Sequence, residues 1–377
     1  KTKLNLTSAN ADEVIKKRIL SKKEEATKEL RHLYFEQQAS LKSLFYFTEG
    51  MQFQQIQNEE DFESNYPFIP YQFDLLGVSL LELSRHNAML GRAQSVGERS
   101  MLELFQKTAQ EVKNNEVGSL SDFSNFYKSL QPILKSEVTK AIDLAKTNPR
   151  LDEFDQKVLK ILFLVRYIEG FKSSKENIAT LLISKLGEDK LALEKKTQEA
   201  LNKLENQSFI QRSAEYYFYL TNEEKDIIEE IKAIAVDNYA INDHLANVIY
   251  DGTIGVTKIT HPDFKQDYKF TRRLDDEIKS SQEHEVGINI ITPYYHMQNE
   301  AELIGKSMGI HDLLVKLPDD DLLKKEIRLF LQTQKYYKQY SSDTSRSESY
   351  KRILNEQLQE NSTRKNNITK RIEILLQ

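Results

Sequence analysis

Ser173-Ser174-Lys175-Glu176-Asn177-Ile178-Ala179-Thr180-Leu181-Leu182 reads as a capping box opening a short helix. The apolar positions of that helix are Ile178, Leu181, Leu182 and Leu186, and Gly187 closes it. Upstream, Asp152 to Ile168 keeps a helical rhythm with Val158, Leu159, Leu162 and Val165 inward, and Gly170 ends it. Downstream, a third helix runs from about Leu191 to Leu204. Phe209-Ile210-Gln211-Arg212 follows, then a two-residue corner at Ser213-Ala214 and the aromatic run Tyr216-Tyr217-Phe218-Tyr219-Leu220. Thr221, with Glu224 as box partner, caps the next helix. Three helices and then a β-hairpin is the plan of a winged helix-turn-helix.

The rest of the 377 residues is bounded by composition. Charged residues make up 29%, and Gly at 12 and Pro at 7 are scarce, so mostly helix with short connections is expected. The apolar run Ile161-Leu162-Phe163-Leu164-Val165 is far shorter than a membrane span. Cys is absent, which excludes disulfides and thiolate chemistry and fits a reducing, cytoplasmic setting. A net charge of −5 argues against wholesale coating of nucleic acid. Lys1 is no initiator Met, and Ile372, Leu375 and Leu376 hold helical rhythm up to Gln377. A piece of a longer protein is therefore expected, with catalytic parts outside it.

A mainly α chain in four parts is predicted. Residues 1–148 form a helical, lid-like region, with Asn10 and Glu13 as a capping pair and Ser95-Val96-Gly97-Glu98 as a capping box. Residues 149–237 form the winged-helix domain. Residues 238–300 form a small α+β domain with Val286-Gly287-Ile288-Asn289-Ile290-Ile291 as a buried strand. Residues 301–377 form a helical hairpin or coiled coil broken at Ser341 to Ser349.

No glycine-rich phosphate loop, paired-histidine metal spacing or nucleophile elbow is present. Pro262-Asp263, thirteen residues, then Glu277-Ile278-Lys279 has the spacing of Mg²⁺-dependent nucleases, but Leu274 to Ser280 reads as an exposed turn. Lys190, Lys195, Lys196 and Lys203 on the third helix, with Arg212 at the wing, suit phosphate contact to double-stranded DNA. Three or four such contacts imply a log–log salt slope of roughly −3 to −4. Interleaved Glu188, Asp189, Glu194, Glu199 and Glu205 fit a solvated face or a protein-docking wing equally well. Tyr216, Tyr217 and Tyr219 either stack on bases or pack. Arg99 stands in a helix first turn, where a cation opposes the macrodipole. It either pairs with Glu103 or faces an anion. A stand-alone winged-helix DNA-binding protein, of the transcription or replication-initiator kind, is the alternative reading.

Tyr66-Pro67-Phe68-Ile69-Pro70-Tyr71-Gln72-Phe73-Asp74-Leu75-Leu76, followed by Gly97-Glu98-Arg99-Ser100-Met101-Leu102, resembles the large P-loop ATPases of bacterial BREX (bacteriophage exclusion) systems, the BrxC/PglY type. Asn10 to Arg18 is similar to the segment that follows the ATPase core of that family, and Leu151 to Leu182 is similar in order and spacing. The resemblance implies an AAA+-like, STAND-type ATPase in phage defence, of which this chain supplies the lid, winged helix and later domains. It implies ATP and Mg²⁺ in the full-length protein and other BREX subunits as partners; a homo-oligomer is an open alternative, and composition points to no membrane. By analogy Arg99 takes the place of the sensor 2 arginine. The P-loop core of the family is absent from this sequence, so no ATP turnover by this chain alone is expected.

Overall fold

A computed structural model describes residues 8–91, 98–308, 311–343 and 345–376. The described chain is mainly helical with small sheets, and it divides into two units, 1–226 and 227–377. Ser95, Val96 and Gly97 of the expected capping box, and the Asn10 side chain, lie outside the described residues.

In the first unit the helices are α1 (Ser8–Val14), α2 (Glu24–Leu44), α3 (Glu59–Asn65), α4 (Tyr71–Arg85), α5 (Glu98–Val112), α6 (Asn125–Leu130), α7 (Ser136–Thr147), α8 (Glu153–Val165), α9 (Lys175–Leu182) and α10 (Lys190–Asn206). Strands β1 (Ile210–Ser213) and β2 (Tyr216–Tyr219) and the start of α11 (Asn222–Lys232) follow. The motif from Tyr66 to Leu76 is core: Phe68, Ile69, Tyr71, Phe73, Leu75 and Leu76 are all buried. Phe105 of α5 stacks on Phe73 at 4.3 Å and meets Phe68 edge-on at 4.8 Å. Buried Gln72 is satisfied, accepting from Ile69 N at 3.1 Å and donating to Ser121 O at 2.8 Å.

Helix α8 is polar in its first turns and apolar all round towards its C-terminal end, burying Val158, Leu159 and every residue from Ile161 to Val165, so that end runs through the core. Its capping box pairs Asp152 with Asp155. Ser174, not Ser173, caps α9 by accepting from Asn177 N. The Ser173 hydroxyl donates instead to Tyr217 O at 2.7 Å, tying α9 to the hairpin. Strands β1 and β2 are antiparallel, with Ser213 opposite Tyr216. The corner is thus Ala214-Glu215, one residue beyond the expected position, and Ala214 takes φ +52°.

The second unit contains α12 (Asn238–Asn247), a π-helical turn at Val248–Ile254, and strands β3 (Lys258–Thr260), β4 (Asp267–Lys269), β5 (Thr271–Leu274), β6 (Glu277–Ile278) and β7 (Gly287–Ile291). Helix α13 (Glu300–Ser307), β8 (Asp312–Lys316), α14 (Asp321–Tyr340) and α15 (Glu348–Leu375) complete it. Strands β3 and β4 form a separate ribbon, and the main sheet has the order β6-β5-β7-β8. In that sheet β5, β7 and β8 are parallel and β6 is antiparallel. Helices α14 and α15 are antiparallel: Phe330 pairs with Asn361, Glu326 with Arg364, and Asp320 with Arg371. Their apolar faces, with Ile241, Leu245, Ile249 and Tyr250, cover Leu274 and Ile290 of the sheet. The stretch 341–347 interrupts the helical run as its polar composition predicts.

Candidate functional site

Helix α10 begins at Asp189, which accepts from Ala192 N at 3.1 Å, and buries Leu193, Thr197, Ala200, Leu201 and Leu204. The five basic residues singled out by sequence sit around it in very different states. Lys190 folds back and donates to Leu44 O at 3.2 Å and Tyr46 O at 3.1 Å, and burial pulls its pKa down. Lys203 donates to Asp152 at 3.0 Å and to the buried Asp155 at 3.0 Å, and hydrogen bonds to these two carboxylates raise its pKa. Arg212 donates to Ala214 O at 2.7 Å and to Glu215 at 3.3 Å, and lies 5.4 Å from the Tyr217 ring centre. Lys196 is exposed and sits 4.1 Å over the Phe154 ring. Lys195 is exposed, and among the described residues no hydrogen bond, ion pair or ring holds it.

Among the described residues Lys195 and Lys196 are therefore the two of the five with no hydrogen-bond or ion-pair partner. The other three are engaged by partners within the chain that spacing along α10 does not reveal, Lys203 while still exposed.

The hairpin tyrosines are packing groups. Tyr217 and Tyr219 are buried, Tyr217 Oη accepting from Gln198 at 2.9 Å and Tyr219 Oη donating to Val138 O at 2.8 Å. Tyr216 Oη donates to Glu49 at 2.6 Å. Among the exposed polar side chains of the module two apolar ones also face solvent: Leu191 is 78% exposed and Phe218 44%. Sequence reading passed over both, because a lone exposed Leu or Phe carries no motif.

The Arg99 backbone lies in the first turn of α5, and its side chain lies outside the described residues. Glu103 accepts from Lys107 at 2.6 Å. Asp263 stands at the tip of the β3–β4 ribbon, Glu277 is on β6, and Lys279 pairs with Glu277 at 3.2 Å. Among the described residues no group of three or more His, Asp or Glu is placed to hold a metal ion. No described helix is long and apolar enough to cross a membrane.

Residues 234–377 match a protein-family model described as the BREX ATP-binding protein BrxC 4th domain with six-stranded beta sheet. Over its second unit, the chain is of the BrxC type. It is with that a component of a BREX system, in anti-phage defence. The BrxC-type unit holds six strands among its described residues, four in the main sheet and two in the ribbon. A single residue, the buried Phe270, separates β4 from β5, so the ribbon extends the central strand of the sheet. No solved structure matches the chain.

Proposed function

We propose that this chain is the lid, winged-helix and assembly region of a BREX-type ATPase, and that its winged helix docks a protein subunit rather than duplex DNA. The carrying observation is that Lys190, Lys203 and Arg212 have internal partners while Leu191 and Phe218 project from α10 and the hairpin. The succession of α8, α9, α10 and the β1–β2 hairpin supports the winged-helix reading. Exposed apolar side chains rimmed by charge suit a protein interface, whereas two free lysines are few for a phosphate backbone. The matched family is described as ATP-binding, and ATP with Mg²⁺ acts in the full-length protein at a site to which this chain brings Arg99.

The test has two arms. Co-expressed BREX subunits should co-purify with the chain, and Leu191→Asp with Phe218→Asp should abolish that without moving the thermal midpoint. In fluorescence-anisotropy titrations with two unrelated duplexes, any binding should be micromolar or weaker, with a salt slope no steeper than about −2. Nanomolar preference for one duplex would instead establish the DNA-binding alternative.

A further inference from the structure

Lys22 lies between the π-helical turn at Ile15–Ile19 and α2. Its side chain is half-buried and lines an open cleft of about 410 Å³. One wall of that cleft is apolar, with Ile19, Leu20, Leu30, Val112 and Val117. The Lys22 ammonium has a single weak acceptor, Ser64 O at 3.3 Å. The carboxylate whose charge acts on it, Glu63, is committed elsewhere: it accepts from Thr27 Oγ1 at 2.9 Å and from Arg31 Nη2 and Nε at 3.0 and 3.1 Å. Among the described residues no carboxylate makes an ion pair with Lys22. Glu29, Glu116 and Lys113 complete the charged groups of the cleft.

An amine taken out of water without an ion pair favours its neutral, nucleophilic form. Burial accordingly pulls Lys22 down to about 8, against a weaker opposing pull from Glu63. Lys190, which burial also pulls down, has two carbonyl acceptors, and Lys203 has two carboxylates, whereas Lys22 has one long contact to a carbonyl and lines a cleft.

We propose that Lys22 is a modification site: its amine takes an acyl group from a small activated acyl donor, and the acyl chain lies along the apolar wall of the cleft. The neutral Nζ attacks the carbonyl carbon of the donor, and the new C–N bond replaces the bond to the leaving group. A phosphate or a thiolate departs with the bonding pair, and the amine proton passes to solvent. The amide product has lost the charge that burial penalises and keeps one N–H for Ser64 O, so the cleft accepts it without rearrangement.

The full chain is incubated at pH 7.5 with acetyl phosphate in one arm and acetyl-coenzyme A in the other, and peptide mass spectrometry follows each lysine. Lys22 should be acetylated roughly fivefold or more faster than the exposed, unpaired Lys195 in at least one arm, because burial without an ion pair favours its neutral amine and the cleft receives the acyl group. The responding arm identifies the donor as an acyl phosphate or a thioester. Above about pH 9 the Lys22 rate should level off. In concentrated urea the preference should vanish. Equal or slower labelling of Lys22 in both arms, or a preference that persists in urea, overturns the proposal.

Discussion

Arg166 grips Glu224 with both terminal nitrogens, Nη1 to Oε2 at 2.9 Å and Nη2 to Oε1 at 2.6 Å, and Nη1 also donates to Tyr219 O at 2.6 Å. The pair joins the C-terminal end of α8, the exit of β2 and the first turn of α11, where Glu224 also accepts from Thr221 N at 2.7 Å. Both side chains are largely buried. Burial alone would raise the Glu224 carboxyl, and the Arg166 charge and hydrogen bonds hold it below its ordinary value. A bidentate geometry with further hydrogen bonds is what a buried ion pair needs to offset its desolvation.

Removing one partner leaves the other charged and buried. Arg166→Ala should therefore destabilise the first unit by roughly 3–5 kcal/mol. The double variant Arg166→Met, Glu224→Leu should be clearly more stable than Arg166→Ala. Chemical denaturation of the three proteins measures this, and equal stabilities of single and double variants would count against the pair as a coupled unit.

Gly50 and Gly170 come together where Gly50 pairs with Phe171 across an isolated bridge. Gly50 has φ +82°, and a Cβ there would lie 2.3 Å from Gly170 O. Gly50→Ala should cost about 2 kcal/mol or more, from a strained backbone and a clash with backbone. Gly77, inside α4 with open space around its Cα, is the contrast. Gly77→Ala should stabilise by about 0.5–1 kcal/mol. Thermal melts of the two variants should move in opposite directions.

His244 stacks on Phe330 at 4.6 Å in the second unit. Burial, helped by Lys365 and opposed by Asp243, lowers its pKa to about 4. The unfolded chain binds a proton near pH 6.5 that the folded chain refuses, so stability is full above that pH and falls as pH drops towards 4. The loss should approach about 1.4 kcal/mol per pH unit within that window. His244→Gln should flatten this part of the pH profile of unfolding, and parallel profiles would refute the assignment.

Arg364 is fully buried between α14 and α15, where its Nη1 donates to Asn361 at 2.8 Å and its Nε lies 3.3 Å from Glu326. Asn361 in turn donates to Phe330 O at 3.0 Å. Glu326→Ala should cost about 3 kcal/mol or more by stranding the guanidinium. Adding Arg364→Met should recover much of that loss. Urea unfolding of the single and double variants gives the comparison, and an additive further loss would exclude the coupling.

Much of the local structure was legible because its causes are local. Helical periodicity and a cap are properties of a few adjacent residues, so α8, α9, α10, the hairpin and the paired helices α14 and α15 could be read from the chain. Strand β8 was not legible: Asp312-Leu313-Leu314-Val315-Lys316 has no clean alternation, and it is a strand because β7 lies beside it. The cap of α9 slid from Ser173 to Ser174 for a similar reason, since Tyr217 O takes the Ser173 hydroxyl from 44 residues away.

The candidate site divides along the same line. That α10 carries lysines was plain from the sequence, but which of them remain free was decided by Leu44 and Tyr46 O, Asp152 and Asp155, and Ala214 O. A charge is available to a partner only when no internal acceptor has claimed it. Acceptors are brought into reach by packing, through contacts distant in sequence, so residue identity set the number of charges and tertiary structure chose the two left without a hydrogen-bond or ion-pair partner among the described residues.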